Sequence, residues 1–181
     1  AAELAYEILI ENDGNNFIYA PLVNYADHTF SVCKKMLDDK NAIMGLGDGG
    51  AHVGFILDAG YPTWLISYWS VKKRAFSMEE TVRRLTSDTA NAAGLNDRGL
   101  LRVGLKADIN IIDWENVGSS DPFMTQDLPA GGKRLMQHTK GYVTTIVSGV
   151  VTYKNGKFTK ERPGTVVKSV KDEEKTLEFI N

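Results

Sequence analysis

The sequence predicts an α/β fold in two parts, a barrel-like α/β part followed by a small β part. In residues 1–95, stretches with apolar residues at helical spacing alternate with short apolar runs, which is typical of successive βα units and a parallel sheet. From about residue 96 the apolar period changes to two, and β-branched runs are joined by turns that contain glycine. We therefore divide the chain into residues 1–95 and 96–181.

The first part opens with helix, strand, helix and strand in that order. Residues 1–12 have the apolar spacing of a helix, and Asn12-Asp13-Gly14 should end it. Residues 17–20 and 42–46 are short apolar runs that are long enough for buried strands. Between them, Asp27 is expected to cap a second helix.

Three more helices are predicted before the change of pattern. The first, over residues 63–73, is rich in aromatic residues, and we expect it to pack on the barrel rather than to line a pocket. Residues 77–80 read Ser-Met-Glu-Glu, a capping box that starts the next helix. A short third helix runs from about Asp88 to Gly94.

The second part is predicted to consist of strands. Residues 107–111 alternate apolar with polar, and residues 142–147 and 150–153 are β-branched and joined by Ser148-Gly149. Asn155-Gly156 is a strong signal for a hairpin. Residues 170–181 are charged and read as a short solvated helix or tail without chemistry.

Composition excludes several classes of function. A net charge of −2 argues against a nucleic-acid or anionic-membrane partner, since either favours a basic face. No apolar run reaches the roughly 18 residues that a membrane-spanning helix needs. Cys33 is the single cysteine, so an internal disulfide is excluded and a cytoplasmic location is expected. The chain starts with Ala-Ala-Glu, without a methionine, which favours a fragment.

The loop Met44-Gly-Leu-Gly-Asp-Gly-Gly-Ala-His-Val53 is the most informative motif. Its Gly45-x-Gly47-x-x-Gly50 pattern matches a dinucleotide fingerprint. That motif must open a long helix, however, whereas Gly54, Gly60 and Pro62 interrupt the following residues. A phosphate-binding Walker loop is excluded because no Lys-Ser or Lys-Thr pair follows the glycines.

Asp48 lies in this loop directly after an apolar run, where a barrel enzyme places acid–base groups. It fits a metal-bound carboxylate and proton shuttle, and it equally fits a residue that stabilises a glycine-rich turn. His52 fits a ligand to substrate or metal, or an ordinary loop residue. We expect His28 in the first turn of a helix and His138 in a polar segment. Cys33 is expected in the core.

Several motifs together resemble the N-acyl-D-amino-acid deacylases, metal-dependent members of the amidohydrolase superfamily. The loop over residues 45–54, followed by Asp58-Ala-Gly-Tyr-Pro-Thr63, resembles the end of that family's eighth barrel strand. The resemblance covers about residues 1–169. The motifs that resemble its small β domain are Arg98-Gly99, Gly104-x-x-Ala107-Asp108, Ile111-x-Asp113, residues 127–134, residues 145–151, Asn155-Gly156 and Arg162-Pro-Gly164.

The resemblance implies a site and a reaction. Asp48 would be the metal-adjacent general acid and base, and His52, Gly49 and Gly50 would bind the substrate. A zinc-activated water would attack the amide carbonyl of a small N-acyl-D-amino acid, and Asp48 would pass the proton to the departing nitrogen. The fold implied is the C-terminal portion of a TIM-like (β/α)8 metal-dependent hydrolase barrel plus part of a small β-sandwich domain.

Departures from the family pattern limit this interpretation. The family's His-x-His, its bridging ligand and its two later histidines have no counterpart in the sequence. Because catalytic zinc needs about three protein ligands, we expect the chain to be a fragment that does not retain Zn²⁺ and is inactive alone. Exposed barrel edges would favour a homo-oligomer.

Two alternatives stay open. One is a non-catalytic interaction or assembly module whose β strands pair between chains. The other lies within the enzyme class, a cyclic amidase similar to dihydropyrimidinase, which would use the same aspartate.

Overall fold

The computed structural model describes residues 1–19, 24–25, 27–45 and 50–167. Within them, the α-helices and a π-helix lie before residue 93, and the strands lie after residue 108 together with two short 3-10 helices. The helical elements are α1 (Ala2–Gly14), α2 (Ser31–Asp38), α3 (Tyr61–Trp64), a π-helix (Leu65–Lys72) that continues α3, α4 (Met78–Leu85) and α5 (Ser87–Ala92). The strands are β1 (Ile109–Ile112), β2 (Gly118–Ser119), β3 (Phe123–Leu128), β4 (Gly132–Met136), β5 (Thr139–Lys140), β6 (Tyr142–Val147), β7 (Val150–Lys154) and β8 (Lys157–Phe158).

Helix α1 confirms the predicted helix and its end. The backbone leaves helical geometry at Glu11, and Asn12 and Asp13 take positive φ values of 52° and 56°. None of its residues is buried, and Leu4, on the predicted apolar face, is 60% exposed. The helix therefore forms from local pattern without a packed partner among the described residues.

The two predicted strands of the first part are not strands over their described residues. Residues 17–19 and 42–45 lie outside regular secondary structure, while residues 20 and 46 lie outside the described residues. A strand requires a neighbour for its backbone N–H and C=O groups, and the described part of the chain provides none for these runs. The expected parallel sheet is therefore not seen in that part.

Helix α2 begins later than predicted, and Asp27 does not cap it. The residue preceding the helix is Phe30, which makes no side-chain cap. The Asp27 carboxylate instead accepts hydrogen bonds from the Thr29 backbone N–H (3.1 Å) and hydroxyl (2.7 Å), and from the Ser31 hydroxyl (3.0 Å). These bonds compete with capping, because they fix a turn over the residues that lead into the helix.

The core of the helical part forms around the π-helix. Leu65, Trp69 and Phe76 are buried together, and partly buried side chains of α2 and α4 pack against them. The rings of Trp64, at the end of α3, and Tyr68 stack with centroids 4.5 Å apart. That the aromatic residues of this segment pack it on a barrel stays a prediction. Partly buried side chains around this core are Phe30, Cys33, Leu37, Met44, Tyr68, Ala75 and Leu85.

One of the two hydrogen bonds of the predicted capping box is confirmed. The Ser77 hydroxyl accepts a hydrogen bond from the Glu80 backbone N–H at 3.1 Å and so caps α4. The Glu80 carboxylate does not complete the box, because it accepts two bonds from Arg84 at 3.1 and 2.7 Å. Helix α5 ends before Gly94, as predicted.

The second part is antiparallel throughout its described residues. Its main sheet has the order β1-β6-β7-β8, and β2–β5 and β3–β4 form two separate pairs. The predicted strands and the Asn155-Gly156 hairpin are confirmed. The β3–β4 hairpin was not predicted, because its connection Pro129–Gly131 is a short 3-10 turn without a common hairpin signature.

The two parts contact each other. The hydroxyls of Thr63 and Tyr142 share a hydrogen bond of 2.8 Å, and the short 3-10 helix Trp114–Asn116 packs against the π-helix. Within the described residues, no helix is long and apolar enough to cross a membrane. The charged segment 170–181 lies outside the described residues.

Candidate functional site

The glycine loop is described on either side of its carboxylate. Asp48 and Gly49, two of the predicted site residues, lie outside the described residues. Gly50 has a φ of +90°, which residues with a Cβ rarely adopt, and a Cβ there would meet no atom of the described residues within 4 Å. The backbone conformation at this position therefore favours glycine.

His52 is presented to solvent by a tight turn. Its φ is +47°, an uncommon value for a residue other than glycine. Its carbonyl accepts hydrogen bonds from the N–H groups of Phe55 (2.9 Å) and Ile56 (3.0 Å), and its ring stacks on that of Phe55 at 5.0 Å. The side chain is exposed, and an imidazole can donate a hydrogen bond to a ligand or accept one from it.

The turn is joined to the β part by one backbone hydrogen bond. The Leu135 N–H, on β4, donates to the Val53 carbonyl at 2.8 Å. Further along the chain, the side-chain amide oxygen of Gln137 lies 2.9 Å from where a Cβ on Gly60 would be. The sequence did not reveal these contacts, since no local pattern links residues more than 70 positions apart.

The other two histidines and the cysteine contact residues outside this turn. His28 is not in a helix as expected, because α2 starts at Ser31; it has a φ of 55° and approaches Tyr25 edge-on at 6.0 Å. His138 follows β4 and packs on the ring of Phe123 at 4.8 Å. Cys33 packs against the core, as predicted.

Metal-ligating groups do not cluster in the described part of the chain. Among residues 1–19, 24–25, 27–45 and 50–167, no three His, Cys, Asp or Glu side chains lie together as a metal site. A catalytic zinc ion needs about three protein ligands. The described residues by themselves therefore do not supply the ligands of a catalytic zinc ion.

The charged motifs of the β part form ion pairs. Arg98 donates to Asp97 at 2.8 and 3.0 Å and lies 3.4 Å from Asp108, which also accepts from the Ser148 N–H at 2.8 Å. The hydrogen bonds from Arg98 hold the pKa of Asp97 below its ordinary value. A carboxylate kept ionised in this way suits a structural role better than proton transfer.

Across the β3–β4 hairpin, Arg134 donates to Asp127 at 2.7 and 2.6 Å. These bonds hold the pKa of Asp127 below its ordinary value as well. Both residues belong to the Asp127–Arg134 motif. The structure thus gives these motif residues a role in bracing the β part.

A sequence profile of the amidohydrolase family matches residues 18–153, which is more than half of the chain and includes the glycine loop. The chain belongs to the amidohydrolase family. A comparison with curated protein sequences found no match.

Two solved structures of D-aminoacylase are similar to this amidohydrolase chain. One is described as defining a novel subset of amidohydrolases, and the other comes from work on the binuclear metal centre of D-aminoacylase. Each shows 23% sequence identity and a TM-score of 0.43 over 55% of this chain. The matched segment spans 19% of the D-aminoacylase chain.

Proposed function

We propose that this chain belongs to a metal-dependent amidohydrolase that hydrolyses the amide C–N bond of N-acyl-D-amino acids. Residues 1–95 would form the last βα units of its barrel, and residues 96–181 would belong to its small β domain. The observation that carries the proposal is the family match over residues 18–153, which includes the loop motif of residues 45–54. The β-part motifs of the sequence support the same assignment.

Asp48 is the residue that we propose to move the proton. Its carboxylate would accept a proton from the attacking water and donate it to the departing nitrogen, which a carboxylate does efficiently when held at the reacting atoms. A bound metal, zinc in the proposal, would supply the lowered pKa of that water and the polarised carbonyl. Its further ligands would come from outside the described residues.

His52, Gly49 and Gly50 are proposed to bind the substrate. The exposed imidazole of His52 and the backbone conformation of Gly50, which favours glycine, support this role. A backbone without Cβ atoms lets a ligand approach closely, and an imidazole can hydrogen bond to the substrate's carboxylate or amide. Substrate would therefore meet the chain on the solvent side of the turn at residues 50–54.

Substrate and metal dependence test the proposal directly. Release of free amine should be measured for the full-length polypeptide that carries this sequence, using N-acetyl-D-methionine, N-acetyl-L-methionine and a cyclic amide such as dihydrouracil. We expect preference for the D-enantiomer, loss of turnover with a chelator and recovery with Zn²⁺. Turnover of the cyclic amide alone would favour the cyclic amidase instead. Chelator-resistant turnover, or no turnover of any amide, would contradict the proposal.

The 181-residue chain alone provides a second test. Since the described residues hold no cluster of metal ligands, we expect it to release no amine above background and to bind less than one equivalent of zinc. Zinc-dependent amidase activity from this chain alone would contradict the idea that further ligands lie elsewhere.

A further inference from the structure

The turn that carries His52 has few attachments to the rest of the molecule. Within the described residues, the bonds from the Phe55 and Ile56 N–H groups to the His52 carbonyl are local to the turn. Among residues that the structure describes, the Leu135-to-Val53 bond is the one hydrogen bond between residues 50–57 and another element. Phe55 is 71% exposed, so packing of its ring fixes the turn weakly.

The donor strand, in contrast, is well supported. Leu135 lies in β4, opposite Met124 of β3, and the ion pair of Asp127 with Arg134 ties the same two strands together. The Leu135 N–H points away from β3, because it donates to Val53 outside the hairpin. In an antiparallel pair, such outward N–H groups alternate with those that bond the neighbouring strand.

We propose that Leu135 is a positioning residue, whose backbone N–H fixes the turn at residues 52–56 and thereby the place where His52 meets a ligand. Gln137, two residues later, reinforces the docking. Its side-chain amide donates to the Ser120 carbonyl at 2.7 Å, and its oxygen occupies the space next to Gly60. The β part therefore sets the geometry of the candidate site. The link to catalysis rests on the proposed function, whereas the positioning itself does not.

Hydrogen exchange of the unaltered chain gives the first test. A hydrogen-bonded amide opens only with the structure that holds it, so the Leu135 amide should be protected even though it lies on the outer edge of β4. Protection comparable to that of the β6–β7 amides is the expected result. Exchange at the rate of a free amide would overturn the proposal without any substitution.

Leu135→Pro removes the donor, and Leu135→Val is its matched control. Proline is tolerated where a strand's N–H faces outward, so β3–β4 should persist. We expect the Phe55 and Ile56 amides to exchange roughly two- to tenfold faster in Leu135→Pro, the factor expected for one ordinary hydrogen bond, and to be unchanged in Leu135→Val. Equal exchange in both variants, with β6–β7 still protected, would overturn the proposal.

Kinetics of the full-length polypeptide separate positioning from general stability. Because His52 is proposed to bind substrate, Leu135→Pro should raise KM for N-acetyl-D-methionine several-fold with a smaller change in kcat. Leu135→Val, which keeps the backbone N–H, should have the KM of the unaltered polypeptide. Unchanged KM would contradict the positioning role in catalysis. If the unaltered polypeptide lacks amidase activity, the proposed function fails, and the exchange measurements still decide whether Leu135 positions the turn.

Discussion

The hydroxyl groups of Thr63 and Tyr142 share a hydrogen bond of 2.8 Å, although 79 positions separate them in the sequence. Thr63 is 3% exposed and lies in α3, and Tyr142 begins β6. The bond therefore joins the helical part to the main sheet. Because Thr63 is buried, its hydroxyl depends on Tyr142 for a hydrogen-bond partner.

Removing the hydroxyl of one partner should lower the free energy of unfolding more than removing both hydroxyls. Tyr142→Phe leaves the buried Thr63 hydroxyl unpaired, and we expect a loss of about 1–3 kcal/mol in the free energy of unfolding. Adding Thr63→Val should recover part of that loss. Urea unfolding checks this, with Tyr153→Phe as the control, since Tyr153 is 46% exposed and should change stability by less than about 0.5 kcal/mol. Equal losses for the two phenylalanine variants would contradict the prediction.

Acidification should weaken the β3–β4 hairpin through Asp127. Hydrogen bonds from Arg134 place the pKa of Asp127 in the folded protein below its ordinary value near 3.8. The folded state thus binds this proton less readily than the unfolded state. The contribution of Asp127 to stability is complete above the ordinary pKa and is lost as pH falls through the folded pKa.

The Arg134→Gln variant tests whether Asp127 loses its contribution to stability as pH falls. Between pH values of about 5 and 2.5, the fall in the urea midpoint should be smaller in the variant, because the pKa of Asp127 then differs less between the folded and unfolded states. Lys133→Gln, which changes the charge by the same amount next to the pair, is the control. Parallel pH curves for the unaltered chain and Arg134→Gln would show that the pair does not stabilise the fold.

Gly141 should tolerate no side chain. It has a φ of +87°, and a Cβ there would lie 2.6 Å from the Val117 Cα. Gly149 has a similar φ of +80°, but its Cβ would meet nothing within 4 Å. At either position, alanine should lower the stability of the fold by about 1–2 kcal/mol because of the left-handed backbone. At Gly141 the steric overlap should lower it by about 1–3 kcal/mol more. Thermal unfolding of both variants compares them, and equal losses would mean that the overlap relaxes freely.

Local features of the fold were predictable from the sequence. Ser77 caps α4 and Asn155-Gly156 closes a hairpin because both act within a few residues. The prediction that Asp27 caps α2 is wrong, because its carboxylate bonds to Thr29 and Ser31 instead of to the backbone N–H groups at the helix start. The π-helix was not predicted either, since its apolar and aromatic composition fits an α-helix equally well.

Long-range features were not predictable. The apolar runs at residues 17–20 and 42–46 have the composition of strands, but composition does not reveal whether a neighbour is present to pair with them. The contact of Leu135 with Val53 is likewise invisible in the sequence. Of the candidate site, the exposed His52 and the backbone conformation of Gly50 are described, whereas the roles of Asp48 and Gly49 stay predictions.

The kcat of Asp48→Asn tests whether Asp48 carries out the proposed proton transfer. The variant should be compared with Asp58→Asn, an exposed aspartate of the same segment, in the full-length polypeptide with N-acetyl-D-methionine and Zn²⁺. We predict that kcat falls by roughly 10²–10⁴-fold in Asp48→Asn, with the unfolding midpoint unchanged, and that Asp58→Asn keeps nearly full activity. A kcat for Asp48→Asn within about threefold of the unaltered enzyme would contradict a proton-transfer role for Asp48.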